Sequence, residues 1–126
     1  MLTWLTGEKT LRVPGRILAV NGLMLAKMLA TSAKPKRGGA IPLIVFYYDD
    51  EADILAERVL RALEEAEDVL GAADVVKICE VGVADEYDLS SVPAISFVRR
   101  GNMEHFQGDL RQIDKIVAWL DKNLRS

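Results

Sequence analysis

The feature that most constrains the fold is a proline directly before an apolar, strand-like run. Pro93 precedes Ala94-Ile95-Ser96-Phe97-Val98, which is rich in β-branched and aromatic residues. Because proline cannot donate a hydrogen bond within a central ladder, we expect Pro93 to open this strand, with a turn before it. Gly101-Asn102 then predicts a two-residue turn into a second strand over 103–107. The sequence therefore predicts a hairpin that is entered through a proline turn.

Hydrophobic periodicity predicts the other elements. The run 41–48 is apolar without alternation, which is typical of a central strand buried on both faces. The full set is a strand at 16–20, a helix at 22–31 capped by Asn21, the strand at 41–48, a long helix to about Leu70 capped by Asp49 or Asp50, a strand at 74–81, one helical turn at 83–87, and a last helix opened by a capping box of Asp109 and Gln112. The buried stripe of the long helix is expected at Leu55, Val59, Leu63, Ala66 and Leu70. This order predicts an α/β fold with a small mixed sheet and helices on both faces.

Length, composition and charge set limits on the kind of protein. The chain has 126 residues, of which 50% are hydrophobic and 28% charged, enough for one domain with its own core. A net charge of -3 favours neither a nucleic-acid partner nor an anionic membrane. No apolar stretch approaches the roughly 20 residues of a membrane-spanning helix. We assign the domain to residues 16–126 and an N-terminal tail or linker to residues 1–15.

The region from Glu86 to Gly108 carries a resemblance to a known family. It contains Tyr87, a short polar approach, the pair Val92-Pro93, an apolar strand, a turn, a second strand and Gly108. This pattern resembles the C-terminal half of the thioredoxin fold, and the likeness extends over 16–124. The resemblance implies a thioredoxin-like fold with a cis peptide bond before Pro93, facing the start of the long helix.

The resemblance fails at the positions that make thioredoxins enzymes. In active members the long helix begins with Trp-Cys-x-x-Cys, whereas the matching positions here are Glu51-Ala52-Asp53-Ile54. With Cys79 as its single cysteine, the chain cannot carry out dithiol exchange by the usual route. It therefore resembles redox-inactive members, such as the non-catalytic domains of protein disulfide isomerases, the repeats of calsequestrin and tandem thioredoxin-like arrays. This predicts a module that is not an enzyme and has no cofactor.

The same resemblance implies a binding site and a kind of partner. Family members accept an extended peptide in the groove between the start of the long helix and the proline turn. The matching residues here are Asp50, Glu51, Ile54, Val92 and Pro93. The expected partner is a protein or extended peptide, neighbouring domains of the same chain included. Only the resemblance, and nothing in the residues, favours the secretory-pathway lumen over the cytoplasm.

The N-terminal segment contains a weak internal repeat. Leu2-Thr3-Trp4-Leu5 shares its Trp-Leu pair with Val117-Ala118-Trp119-Leu120. One interpretation is that residues 2–5 are the last helical turn of a preceding module in a tandem array. The other is an ordinary N-terminal tail, with Trp4 packed on the domain's own surface. The sequence leaves both interpretations open.

Three further groups of residues were weighed as chemical sites. Cys79 falls in a predicted strand, where it is expected to be a buried hydrophobe, and a thiol oxidoreductase using it is the less favoured alternative. Asp49, Asp50, Glu51 and Asp53 could bind calcium at low affinity, as in calsequestrin, but capping of the helix explains them without a metal. His105 has no partner at a useful spacing and is predicted to lie at the surface or at an edge. The sequence therefore predicts no metal site.

Overall fold

The computed structural model describes residues 17–33, 41–49, 53–79, 82–89 and 91–125, and its elements alternate between strands and helices. In chain order they are β1 (Leu18–Val20), α1 (Gly22–Ala33), β2 (Leu43–Tyr47), α2 (Ile54–Glu65), α3 (Glu67–Leu70), β3 (Asp74–Ile78), α4 (Val83–Glu86), β4 (Ala94–Arg99), β5 (Asn102–His105) and α5 (Ile113–Arg125). The proposed repeat and Trp4 lie outside the described residues, so the assignment of residues 1–15 stays a prediction.

The five described strands form one mixed sheet in the order β1-β3-β2-β4-β5. β1 and β3 are parallel, as are β3 and β2, whereas β4 runs antiparallel to both β2 and β5. All five residues of the central strand β2 are buried. This confirms the prediction that the apolar run there is covered on both faces.

Alternate residues of β2 point into two separate cores. Ile44 and Phe46 pack with the buried faces of α2 and α5. Val45 and Tyr47 pack with Leu25 of α1 on the opposite face. Since side chains alternate along a strand, one strand supplies both cores. The predicted helices on both faces of a small mixed sheet are therefore confirmed.

Two helix starts show how polar residues fix the ends of elements. Asn21 caps α1 as predicted, because its Oδ1 accepts a hydrogen bond from the amide of Met24 at 2.9 Å. The predicted cap of the long helix is wrong. Asp53, not Asp49 or Asp50, is the N-cap, and its Oδ1 accepts from the amide of Leu55 at 2.9 Å.

The long helix and the last helix differ from their predictions in other details. The long helix is interrupted at Ala66, which separates α2 from α3. Ala56 is buried on it, whereas Leu55 and Ala66 are only partly so. The predicted capping box at the last helix does not form. The Asp109 carboxylate instead accepts from the amide and guanidinium of Arg111, and α5 begins only at Ile113.

The hairpin turn lies one residue earlier than the sequence suggested. Arg99 pairs with Asn102, so the two turn residues are Arg100 and Gly101. Their φ angles are 53° and 81°. Two consecutive positive φ angles are the mark of a type I′ turn, whose twist suits a tight hairpin.

Residue 101 must be glycine for two reasons: its φ angle is positive, and there is no room for a Cβ. This gives a testable prediction. A Cβ built at Gly101 would lie 2.8 Å from the Cβ of Ala33, whereas one at Gly82 (φ 88°) would meet nothing within 4 Å. We expect Gly101→Ala to lower the free energy of unfolding by about 2–3 kcal/mol, and Gly82→Ala by about 1 kcal/mol, because only the first adds a steric clash to the strain. Urea unfolding of both variants measures the difference. Equal losses would contradict the close approach of α1 to the turn.

Within the described ranges, no helix has the length and apolar character needed to cross a membrane.

Candidate functional site

The predicted site lies where β2 ends beside the residues that lead into β4. Tyr47, the last residue of β2, pairs with Ala94, the first residue of β4. The peptide bond between Val92 and Pro93 is cis, which is the geometry the resemblance implies. α2 begins at Ile54, seven residues beyond Tyr47. The proline turn and the start of the helix therefore belong to the same edge of the sheet.

A groove of about 490 Å³ lies at this edge. One wall is the segment before β4, a second is the segment between β5 and α5, and Leu55 closes the groove at the start of α2. The lining residues are Leu55, Asp88, Leu89, Ser91, Val92, Pro93, Ala94, His105, Phe106, Gln107, Gly108, Asp109 and Leu110. The groove combines apolar side chains with exposed backbone and two carboxylates, and it holds neither a lysine nor an arginine.

The predicted site residues have different places around this groove. Val92 and Pro93 line it, and both are partly buried. Ile54 stands just outside the lining, next to Leu55, with 73% of its side chain exposed. Asp50 and Glu51 lie outside the described residues.

The backbone at Val92 is not paired with any residue that the structure describes. Within the described ranges, neither its amide nor its carbonyl forms a hydrogen bond. The neighbouring residues from Ala94 to Val98 pair with β2 in the sheet. A free amide and carbonyl beside a groove can pair with an extended segment from another molecule, as at an open strand edge.

His105 has partners that sequence analysis missed. Its Nδ1 lies 2.6 Å from the Oγ of Ser96, and its Nε2 lies 2.9 Å from the carbonyl oxygen of Tyr87. A carbonyl can only accept, so Nε2 carries the proton and donates to Tyr87. In the neutral ring Nδ1 then accepts from the Ser96 hydroxyl. His105 therefore lies on the edge strand β5, as expected, but the expectation that it has no partner is wrong.

The Ser96–His105 pair has the distance of a nucleophile and its base but not the access. Ser96 has no exposed surface, so no substrate carbonyl can reach its Oγ. The second ring nitrogen of His105 donates its hydrogen bond to a backbone carbonyl and not to a carboxylate that would orient the ring for catalysis. The pair instead ties β5 to the segment that follows α4. We interpret it as a clamp that holds one wall of the groove.

Tyr47 belongs to the same buried polar cluster. Its hydroxyl donates to the Sδ of Met103 at 3.7 Å, and its ring is 6.3 Å from that of Tyr87. Burial raises the pKa of Tyr47 to about 12, against a smaller lowering by the hydrogen bond with Ser96. The buried phenol therefore stays neutral up to a higher pH than an exposed tyrosine does.

Cys79 corrects another prediction. β3 ends at Ile78, so Cys79 follows the strand instead of lying within it, and its side chain is exposed. Exposure makes the thiol accessible, but a second cysteine for exchange does not exist in the sequence.

The described residues offer no ready metal site. No group of three or more histidine, cysteine, aspartate or glutamate side chains within them could hold an ion. Asp49 and Asp53 therefore do not converge with other described acids, and Asp53 is engaged as a helix cap. The calcium alternative stays an untested prediction that depends on Asp50 and Glu51.

A larger groove of about 840 Å³ lies away from the proline turn. It is bordered by Ile17, Leu18, Met28 and the C-terminal part of α2. Its described lining is mostly aliphatic, with Glu64 and Asp74 as its ionisable groups, and contains no histidine, cysteine or serine. It offers no chemistry comparable with the smaller groove.

Comparisons with known proteins find similarity in structure but not in sequence. No protein-family model matches the chain, and no curated protein matches it either. Among solved structures, the N21Q mutant of thioredoxin from Halobacterium salinarum NRC-1 is 20% identical with a TM-score of 0.64, covering 89% of this chain and 94% of that one. Thioredoxin O2 from Arabidopsis thaliana in its oxidised state is 11% identical with a TM-score of 0.63, covering 87% and 98%. Human ERp44 is 15% identical with a TM-score of 0.60, covering 82% of this chain but 31% of that one. At these identities the likeness establishes the fold alone, and the predicted thioredoxin-like fold is confirmed.

Proposed function

We propose that this chain, whose fold is thioredoxin-like, is a non-catalytic module that binds an extended protein segment in the groove beside Pro93. The observation that carries the proposal is the backbone of Val92, which forms no hydrogen bond with any described residue and lies at a groove of mixed apolar and polar lining. The amide and carbonyl of an extended segment can form hydrogen bonds with the Val92 backbone while the side chains of the segment enter the groove.

The absence of a second cysteine supports a non-catalytic role. Dithiol exchange needs an attacking thiolate and a resolving thiol. The helix start that would carry them has Asp53 as its cap, with its carboxylate hydrogen-bonded to the amide of Leu55. In an active member, the helix N-terminus would stabilise a thiolate. Here the Leu55 amide is already engaged by the Asp53 carboxylate.

Exposed apolar surface supports a binding role. Ile54 is 73% exposed at the first turn of α2. This isoleucine therefore contributes little to either core. Leu55, Leu89 and Pro93 continue the apolar surface into the groove. Covering such a surface with a partner's side chains removes apolar area from water and is favourable.

We also propose that the module is one part of a larger multidomain protein. The match to human ERp44 covers 31% of that chain, so the same fold occurs there within a longer protein. This supports, by analogy, a scaffold or protein-binding domain among others.

Titration of the whole chain with unfolded peptides, followed by amide chemical shifts, tests the proposed groove. We expect the perturbed amides to cluster at 88–94 and 105–110, with the Val92 amide among the most affected because it gains a hydrogen bond. Perturbations confined to β1 and the larger groove bordered by Ile17 would contradict the proposal.

A further inference from the structure

Negative charge is concentrated in two stretches of the sequence. Residues 49–57 contain five acids and residues 80–95 contain four, and neither stretch contains a lysine or arginine. The chain has 19 acids in total, so the other ten share the rest of the sequence with all 16 basic residues. A net charge of -3 therefore hides a strong separation between these two acidic stretches and a basic remainder.

The structure places described members of both segments around the groove. Asp49 is exposed directly after β2, and Asp53 caps α2 beside the lining residue Leu55. Asp88 lines the groove itself and has a φ of 58°. Asp85 and Glu86 are exposed on α4, just before it. Carboxylates thus approach the groove from two of its sides.

Few cations offset this field near the groove. Arg111 belongs to the segment between β5 and α5, which is the second wall, but its guanidinium donates to both carboxylate oxygens of Asp109, at 2.9 Å and 3.1 Å for the shortest contacts. On α2 the first basic residue is Arg58, one turn beyond Ile54. Negative charge therefore predominates around the groove, and it attracts positive charge to a surface that also carries apolar side chains.

A metal ion does not explain this arrangement. A calcium ion needs six to eight oxygens, roughly, at one point, whereas no three described acids converge. Acids spread along a groove instead suit positive charges spread along a chain. Complementary potentials of this kind select partners and speed their encounter.

We propose that the groove selects an extended segment in which apolar side chains are flanked by lysine or arginine. This rests on the proposed peptide-binding function and specifies its ligand. The apolar residues contact Leu55, Leu89 and Pro93, while the flanking cations face Asp88 on one side and Asp49 and Asp53 on the other.

Three matched peptides test the charge preference on the whole chain. Each is capped at both ends and has a Val-Leu-Val centre, flanked on both sides by lysine, by glutamine or by glutamate. We expect affinity to fall in that order, with the lysine peptide binding at least about tenfold more tightly than the glutamate peptide at low salt. In roughly 1 M salt, where the screening length is about 3 Å, the three affinities should converge.

Matched charge variants locate the effect. Asp85→Asn with Asp88→Asn removes two charges at the groove, and asparagine tolerates the left-handed conformation of residue 88. Glu65→Gln with Asp68→Asn removes two exposed charges at the far end of α2 and on α3. We expect the first pair to lower the advantage of the lysine peptide about threefold or more, and the second to leave it nearly unchanged.

The possible results distinguish the charge preference from the proposed peptide-binding function on which it rests. Equal affinity for the three peptides, with shifts at 88–94, would overturn the charge preference and leave peptide binding intact. An equal loss in both double variants would also overturn it, because the effect would then follow net charge. If none of the three peptides shifted the amides at the groove, peptide binding itself would be overturned.

Discussion

Ile44→Ala should lower the free energy of unfolding by about 2–5 kcal/mol, whereas the same change at Ile54 should leave it within about 0.5 kcal/mol of the parent. Ile44 has no exposed surface and packs in the core between the sheet and α2, so truncation leaves a cavity. Ile54 is largely solvated at the first helical turn, where alanine is a better helix former than isoleucine. Urea unfolding of the two variants compares one residue type in two environments.

The binding experiment should reverse this order. We expect Ile54→Ala to weaken peptide binding about five- to tenfold, because burial of an aliphatic side chain contributes about 1–3 kcal/mol. Leu23→Ala is the matched control, since Leu23 is 67% exposed on α1, which packs on the other face of the sheet. Equal weakening in both variants, or none in either, would contradict a role for Ile54 in the groove.

The fold could be predicted from the sequence because its strongest signals are local. An apolar run without alternation indicated the buried β2, and a proline before a β-branched run indicated where β4 starts. Asn21 was correctly predicted as a cap, since it is the one capping residue before its helix. Asp49, Asp50 and Asp53 are all chemically able to cap α2, and sequence alone could not choose among them. The choice depends on where β2 ends, which is set by pairing with β3 and β4.

The missed partner of His105 has a specific cause. A turn at Gly101-Asn102 would place Ser96 opposite Gln107, whereas the observed turn at Arg100-Gly101 places it opposite His105. Moving a two-residue turn by one position moves the cross-strand register by two. A non-glycine residue with positive φ, here Arg100, is uncommon enough that sequence reasoning favoured the other turn. With the correct register, the Ser96–His105 pair could have been read from the sequence.

The position of Cys79 was missed for a related reason. The apolar residues continue to Val81, so the strand was predicted to include the cysteine. The described ladder ends where Ile78 pairs with Tyr47, because β2 itself ends there. Strand length is thus set by the partner strand and not by local hydrophobicity.

The second large effect is expected at alkaline pH, where stability should fall by about 2 kcal/mol between pH 10 and pH 12 through Tyr47 alone. Burial raises the pKa of Tyr47 in the folded chain to about 12, while a tyrosine in the unfolded chain has a pKa near 10. As pH rises above 10, the unfolded state loses this proton first, and each further pH unit favours it by up to about 1.4 kcal/mol. Below pH 10 the phenol is neutral in both states, so this group gives no pH dependence there.

Tyr47→Phe isolates this contribution. Groups that do not interact with Tyr47 titrate in the variant as they do in the parent. The difference in unfolding free energy between the two proteins therefore reports Tyr47 together with its interaction with Tyr87. We expect the parent to be the more stable at pH 9, because the variant loses the hydrogen bond that the hydroxyl donates to Met103. We expect the variant to be the more stable at pH 12, since phenylalanine cannot ionise in the core. A difference that stays constant from pH 9 to pH 12 would mean that the phenol is solvated, and the dry polar cluster behind the groove would then be wrong.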